Sequence, residues 1–208
     1  CLLSRGLGDV YKRQVEVGYT PRLGPGGLPG SYRVGAWYNS AKADDVGLDI
    51  NRAPIGVTGL APLQRQGRYG VYAQFQQQLT GSAEDGPGGA TTTRGLTAFL
   101  NVTQTDRRTT VTDNQVAAGL SYKGMLPSRP LDEVTFALAR TNVNARALLA
   151  LAPGAARPDA EYAAELAYCI HAIDWLTLRP NVQYIANPGG FRDARDVVVI
   201  GLKASLTL

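Results

Sequence analysis

From residue 68 onward the chain alternates between apolar and polar side chains with a period of two. In the stretch 68–79, Tyr69, Val71, Ala73, Phe75 and Leu79 share one parity, with Gln77 as its polar member. Arg68, Tyr72, Gln74, Gln76 and Gln78 share the other. Successive side chains of a strand point to opposite sides, so this alternation predicts a strand with one apolar and one polar face. The pattern recurs. Leu96, Ala98, Leu100 and Val102 oppose Gly95, Thr97, Phe99 and Asn101. Val116, Ala118, Leu120 and Tyr122 oppose Ala117, Gly119 and Ser121. Val134, Phe136 and Leu138 oppose Thr135, Ala137 and Ala139. Tyr162, Ala164, Leu166, Tyr168 and Ile170 oppose Glu161, Ala163, Glu165, Ala167 and Cys169. Leu176, Leu178, Val182 and Tyr184 oppose Thr177, Arg179, Asn181 and Gln183. Val198, Ile200, Leu202, Ala204, Leu206 and Leu208 oppose Val199, Gly201, Lys203, Ser205 and Thr207. Two weaker strands precede these, near 15–19 and 31–40.

The chain thus predicts about nine strands of roughly ten residues, the length a tilted strand needs to cross a bilayer. Strands of soluble proteins average nearer ~5–6 residues. Arg140 is the single charge on the apolar parity of the clear strands, and it falls at a strand end. A Lys or Arg at the bilayer midplane of a barrel costs about 2–4 kcal/mol, so such scarcity is expected of lipid-facing rows. The opposite parity is rich in Gln, Asn, Gly and Thr, which suits a wet lumen. The predicted fold is all-β, an antiparallel up-and-down transmembrane β-barrel of which this chain supplies the C-terminal strands. Connections of roughly alternating length agree: 186–194, 171–174, 142–159, 124–131, 103–113, 80–92, 41–66 and 20–30. The connection 80–92 is long for a periplasmic turn. Single-chain bacterial barrels have even strand numbers, so nine strands predict further ones upstream. Pro180 inside a strand removes a ladder donor and has no sequence-based explanation. The run 147–151 fits a short helix in an outer loop.

Composition narrows the reading further. Charged residues make up 18% of the 208, below the ~25% of soluble domains, and Tyr outnumbers Phe 10 to 4. The sole Met is Met125, which predicts an N-terminally incomplete chain. Residues 1–14 read as a foreign leader, leaving 15–208 as the barrel segment. The remaining cysteine, Cys169, builds no disulfide framework or metal pattern. A net charge of +4 without a dense basic cluster argues against a nucleic-acid surface. The most apolar run, 147–156, is too short for a membrane helix and contains Pro153.

Three stretches then carry a family resemblance: 68–80 (RYGVYAQFQQQLT), 124–132 (GMLPSRPLD) and 176–190 (LTLRPNVQYIANPGG), the last followed by VVVIGLK at 197–203. Together they resemble the carbohydrate-selective porin (OprB) family over about 15–208. The resemblance implies a sixteen-stranded barrel in the Gram-negative outer membrane that passes glucose and other small sugars by diffusion. It implies no cofactor. Its partners are small sugars, the outer-membrane bilayer and the barrel-assembly machinery. The oligomeric state stays open. Such barrels usually end in an aromatic residue, whereas this chain ends in Leu208.

A sugar channel needs hydrogen-bonding groups facing water and flat apolar surfaces for sugar rings. The pore-lining candidates are Arg68, Gln74, Gln76, Arg94, Asn101, Glu165, Arg179, Asn181, Gln183 and Lys203, with Trp37 and Tyr72 as ring platforms. Each could instead be a generic lumen residue, and Glu165 with Arg179 could simply pair. Arg129 and Asp132 are expected to hold a turn, and 187–190 to form an outer-loop turn. Tyr122, Tyr162, Tyr168 and Tyr184 suit interfacial girdles. His171 is the sole histidine and lacks a GxSxG partner, so no enzyme and no metal site is expected. Two readings compete: a general porin without sugar preference, and a secreted β-sandwich carbohydrate-binding module.

Overall fold

The computed structural model describes residues 11–24, 26–86 and 89–207, which form one antiparallel sheet. Its strands are β1 (Lys12–Tyr19), β2 (Arg22–Leu23), β3 (Leu28–Asp49), β4 (Pro62–Gln78), β5 (Ser82–Gly86) and β6 (Gly89–Thr105). They continue with β7 (Thr112–Lys123), β8 (Glu133–Val143), β9 (Ala160–Ile173), β10 (Leu176–Ala186) and β11 (Val197–Leu206). The wall runs β1-β3-β4-β6-β7-β8-β9-β10-β11, each strand beside its neighbour in sequence, while β2 and β5 attach to β3 and β6 at one end. This is a partial up-and-down barrel. Of the leader predicted as foreign, residues 1–10 lie outside the described residues, while Lys12–Gln14 open β1 and pair with Trp37–Asn39. Leu208 also lies outside the described residues.

Burial is inverted relative to a soluble domain. Among the described residues the buried apolar side chains are only Pro21, Leu28, Ala160 and Ala167, whereas Asp45, Asp49, Gln78, Thr97, Asp106, Asp132 and Asn144 are buried. Large apolar side chains of the predicted lipid rows stand exposed on the convex face: Leu120, Phe136, Leu138, Leu166 and Ile200 among them. No second layer of described residues covers them. So large a contiguous apolar surface has one natural solvent, lipid. Two tyrosine belts bound it. Tyr19, Tyr32, Tyr122 and Tyr168 lie toward the end with short turns; Tyr38, Tyr69, Tyr162 and Tyr184 lie toward the end with long loops. Arg140 falls in the second belt, its guanidinium 5.7 Å from the centre of the Tyr162 ring. Gln77, the polar member of the apolar row, accepts from Tyr32 Oη at 2.7 Å and donates to Leu28 O at 3.2 Å, at the opposite rim.

The expected connection 41–66 is mostly strand. β3 and β4 run on past a bulge between Asn39 and Lys42, to the pair Asp49 and Pro62. Lys42, Asp44 and Asp45 interrupt the alternation there, because this part stands clear of lipid and no longer needs an apolar face. The overlong connection 80–92 is the hairpin of β5 with the start of β6. The short helix expected at 147–151 is a 3-10 segment at Ala145–Ala150. Pro180 now has an explanation. The β9 ladder is interrupted between the pairs Leu178–Ile170 and Asn181–Ala167 without a change of register, while pairing with β11 continues through Pro180–Leu202. The missing donor coincides with that gap.

Candidate channel lining

The concave face carries the polar parity of every wall strand. Register sets its levels: Arg33, Gln74 and Asn101 align across β3, β4 and β6, and Ser31, Gln76, Phe99 and Gly119 align one step lower. Here the sheet curves around a cavity of about 730 Å³. Arg33, Gln74, Gln76, Phe99 and Asn101 line one side; Lys123, Glu133, Thr135 and Arg179 line the other. Three cations and one carboxylate thus face the same water. Glu133 accepts from Ser121 Oγ and, at 3.4 Å, from Thr135 Oγ1, and Lys123 Nζ donates to Thr92 O at 3.2 Å. Lys123 and Glu133 thus keep polar partners while bordering the cavity.

Of the residues expected to line the pore, Gln74, Gln76, Asn101 and Arg179 border this cavity. Glu165, Asn181 and Gln183 stand beside it as a network. Asn181 Nδ2 and Gln183 Nε2 donate to Glu165 at 3.2 and 3.0 Å, and Arg179 lies 3.7 Å from the same carboxylate. Lys203 sits opposite Arg179 on β11. Trp37, Arg68 and Tyr72 stand nearer the long loops. Tyr72 Oη accepts from Gln14 Nε2 at 2.7 Å and donates to Glu16 at 2.6 Å. Arg94 lies outside the lining. It precedes the bend at Gly95, where β6 leaves the wall to pair with β5, and its side chain lies beside Gly124. Arg33, Phe99, Lys123 and Glu133 are added to the expected set. Lys123 and Glu133 sit one residue past the predicted strands on the inward parity, so carrying the alternation one step further finds them.

The long loops are fastened across the mouth. Asp45 is buried and accepts from Arg65 Nε at 2.7 Å, Arg146 Nη2 at 2.6 Å and Nε at 3.1 Å, and the Gly47 and Leu48 amides at 3.0 and 2.9 Å. Asn144 Nδ2 donates to the Arg107 and Thr110 carbonyls at 2.6 and 2.8 Å. The 144–159 loop is thereby tied to both the β3–β4 hairpin and the 106–111 loop. At the other end, Asp132 holds its turn as expected. It pairs with Arg129 and accepts from Tyr168 Oη at 2.7 Å and the His171 amide at 2.9 Å. The Arg129 hydrogen bond, with those from Tyr168 and His171, outweighs burial and lowers the Asp132 pKa to about 2. His171 takes part through its backbone.

Comparison with known proteins gives a consistent picture. The profile of the carbohydrate-selective porin, OprB family, matches residues 13–208. Porin B of Pseudomonas aeruginosa is 38% identical over 203 residues, covering 91% of this chain and 43% of that protein. The putative porin QuiX of Acinetobacter baylyi is 31% identical, covering 92% of this chain and 44% of its own length. The high-pH structure of Pseudomonas putida OprB superimposes with a TM-score of 0.81 at 37% identity, covering 95% of this chain and 48% of that one. Its low-pH structure gives 0.58 at 30% identity. The chain therefore spans less than half the length of these relatives.

Proposed function

Because this chain belongs to the carbohydrate-selective porin family, OprB, we propose that it walls a water-filled channel through which small sugars such as glucose diffuse passively. It is an outer-membrane protein of Gram-negative type, as its family is. In this reading the wall is one side of a tube closed by further strands. The observation that carries the reading is the two-sided sheet, with an apolar convex face and a concave cavity bordered by Arg33, Gln74, Asn101, Lys123, Glu133 and Arg179. A sugar leaving bulk water loses hydrogen bonds, and these side chains replace them at several heights. Guanidinium groups suit vicinal hydroxyls because their planar fork of donors does not titrate. Neutral donors and acceptors such as Gln74, Gln76 and Asn101 replace the hydration of sugar hydroxyls, whereas an ion gives up a much larger hydration energy on entering. No energy source is required, since many weak contacts let the solute leave as readily as it enters.

Swelling of liposomes containing the complete barrel tests this. Glucose is expected to enter faster than an anionic or cationic solute of equal size. Equal rates for all would overturn sugar selectivity and leave a general porin.

A further inference from the structure

The inward faces of β3, β4 and β6 hold three aromatic side chains, Trp37, Tyr72 and Phe99, and each lies over a glycine of the adjacent strand. Trp37 is paired with Gly70, Tyr72 with Gly35, and Phe99 with Gly119. A Cβ built on Gly70 would lie 2.6 Å from Trp37 Nε1. One on Gly35 would lie 2.5 Å from Tyr72 Oη, and one on Gly119 2.5 Å from Phe99 Cζ. No side chain fits in such a space, so the glycines let the rings lean across and lie down along the wall instead of projecting into the lumen. The first two pairs are reciprocal. Trp37 on β3 leans onto β4, and Tyr72 on β4 leans onto β3, two residues further along. Tyr72 is also tied at its hydroxyl by Gln14 and Glu16, which fixes the plane of its ring. Phe99 lies lower, within the cavity wall.

We infer that Trp37, Tyr72 and Phe99 form a descending rail of flat ring faces that recognises the apolar C–H face of pyranose sugars; this rests on the sugar-channel reading above. A pyranose has hydroxyls around its edge and C–H bonds on its faces. A ring lying against the wall offers its face to the lumen, and the neighbouring Gln14, Glu16, Gln74 and Asn101 meet the edge. An acyclic polyol has the same hydroxyls but no rigid apolar face. The rail therefore separates cyclic sugars from linear ones, which hydrogen bonding alone does not do.

The glycines supply the test. The three heavy atoms nearest the position a Cβ would take belong to the Tyr72 side chain at Gly35 and to the Trp37 ring at Gly70, so alanine there presses on a ring before it meets backbone. In the complete barrel, influx of glucose and of sorbitol is measured for the wild type, Gly70→Ala, Gly35→Ala, Trp37→Leu and Trp37→Phe. Binding is followed in parallel by Trp37 fluorescence with every other tryptophan of the complete barrel, Trp175 included, replaced by phenylalanine. The glucose-to-sorbitol ratio is expected to fall by about threefold per displaced or deleted ring, and Trp37→Phe to retain most of it. Glucose is expected to perturb Trp37 emission at lower concentration than sorbitol. Heat-modifiable migration shows which variants still fold. If folded Gly70→Ala, Gly35→Ala and Trp37→Leu barrels keep the wild-type ratio, the rail is refuted while the sugar channel stands. If the wild type itself admits a charged solute of equal size as fast as glucose, the sugar-channel reading has failed.

Discussion

Removing the Asp45 carboxylate is expected to free the 144–159 loop without unfolding the wall. Asp45 has a fully buried side chain, and both of its guanidinium partners are about one-quarter exposed, at 27% each. In Asp45→Asn the shape is kept, but Arg65 and Arg146 then face each other without a countercharge. Breaking a buried ion pair by removing one partner costs about 3–5 kcal/mol. Partial hydration of the two guanidiniums places this case near the lower end, about 3 kcal/mol. Since about 1.4 kcal/mol is a factor of ten, the open state of the loop gains roughly two orders of magnitude. The cost is local. Arg146 and Asn144 make the loop's polar ties to its neighbours, and Leu149 and Leu151 also lie against Gly47 and Gly56, while the sheet ladders of β3 with β4 and β8 with β9 are untouched. Native-state hydrogen exchange resolves the two regions. Amides of Val46 and Ala147, which donate to Arg108 O and Asn144 O, are expected to exchange faster by that factor, and mid-strand amides of β7 and β8 at unchanged rates. Unchanged exchange at Val46 and Ala147 in a folded Asp45→Asn barrel would refute the latch. Acceleration throughout the sheet would show that Asp45 supports the whole wall.

Other perturbations have equally definite outcomes. The Asp132 pKa is lowered from 3.8 to about 2, so its stabilisation is complete above about pH 4 and is lost as pH falls through about 2. Pepsin should therefore cut the 124–132 turn only near the bottom of that window, whereas Asp132→Asn should be cut throughout it. Leu138→Lys, on the convex face, should cost about 2–4 kcal/mol in folding equilibria with lipid vesicles, and the adjacent Ala137→Lys should cost far less. Gly119→Ala differs from the alanine substitutions at Gly35 and Gly70. Its Cβ would press on the Phe136 carbonyl as well as on Phe99, so a stability loss of about 1–3 kcal/mol is expected in addition to any change in flux.

Much of the wall is legible in the sequence because lipid and water impose opposite demands on alternate residues. The seven later wall strands and their faces follow from alternation alone. The upper parts of β3 and β4 do not, since beyond the bilayer Lys42, Asp45 and Arg65 answer to loop contacts rather than to lipid. Rows of lining candidates are legible for the same reason, but the heights at which their members meet depend on inter-strand register. Gln74, Asn101 and Arg33 share a level that no single segment reveals. Arg94 reads as part of the lumen until the bend at Gly95 turns its backbone away. The glycine beneath Trp37 is 33 positions away in the chain, so that contact becomes visible only once β3 and β4 are paired.

The two-sided wall is tested most directly by nitroxide scanning along β8, residue by residue from 134 to 141, with every native cysteine of the complete barrel, Cys169 included, replaced by serine and the barrel in liposomes. The structure predicts a period of two. Labels at 134, 136 and 138 should meet membrane-dissolved oxygen, and labels at 135, 137 and 139 should meet a water-soluble nickel chelate. Oxygen and chelate accessibilities that rise and fall together, or labels at 136 and 138 shielded from both, would contradict a sheet with hydrocarbon on one side and water on the other.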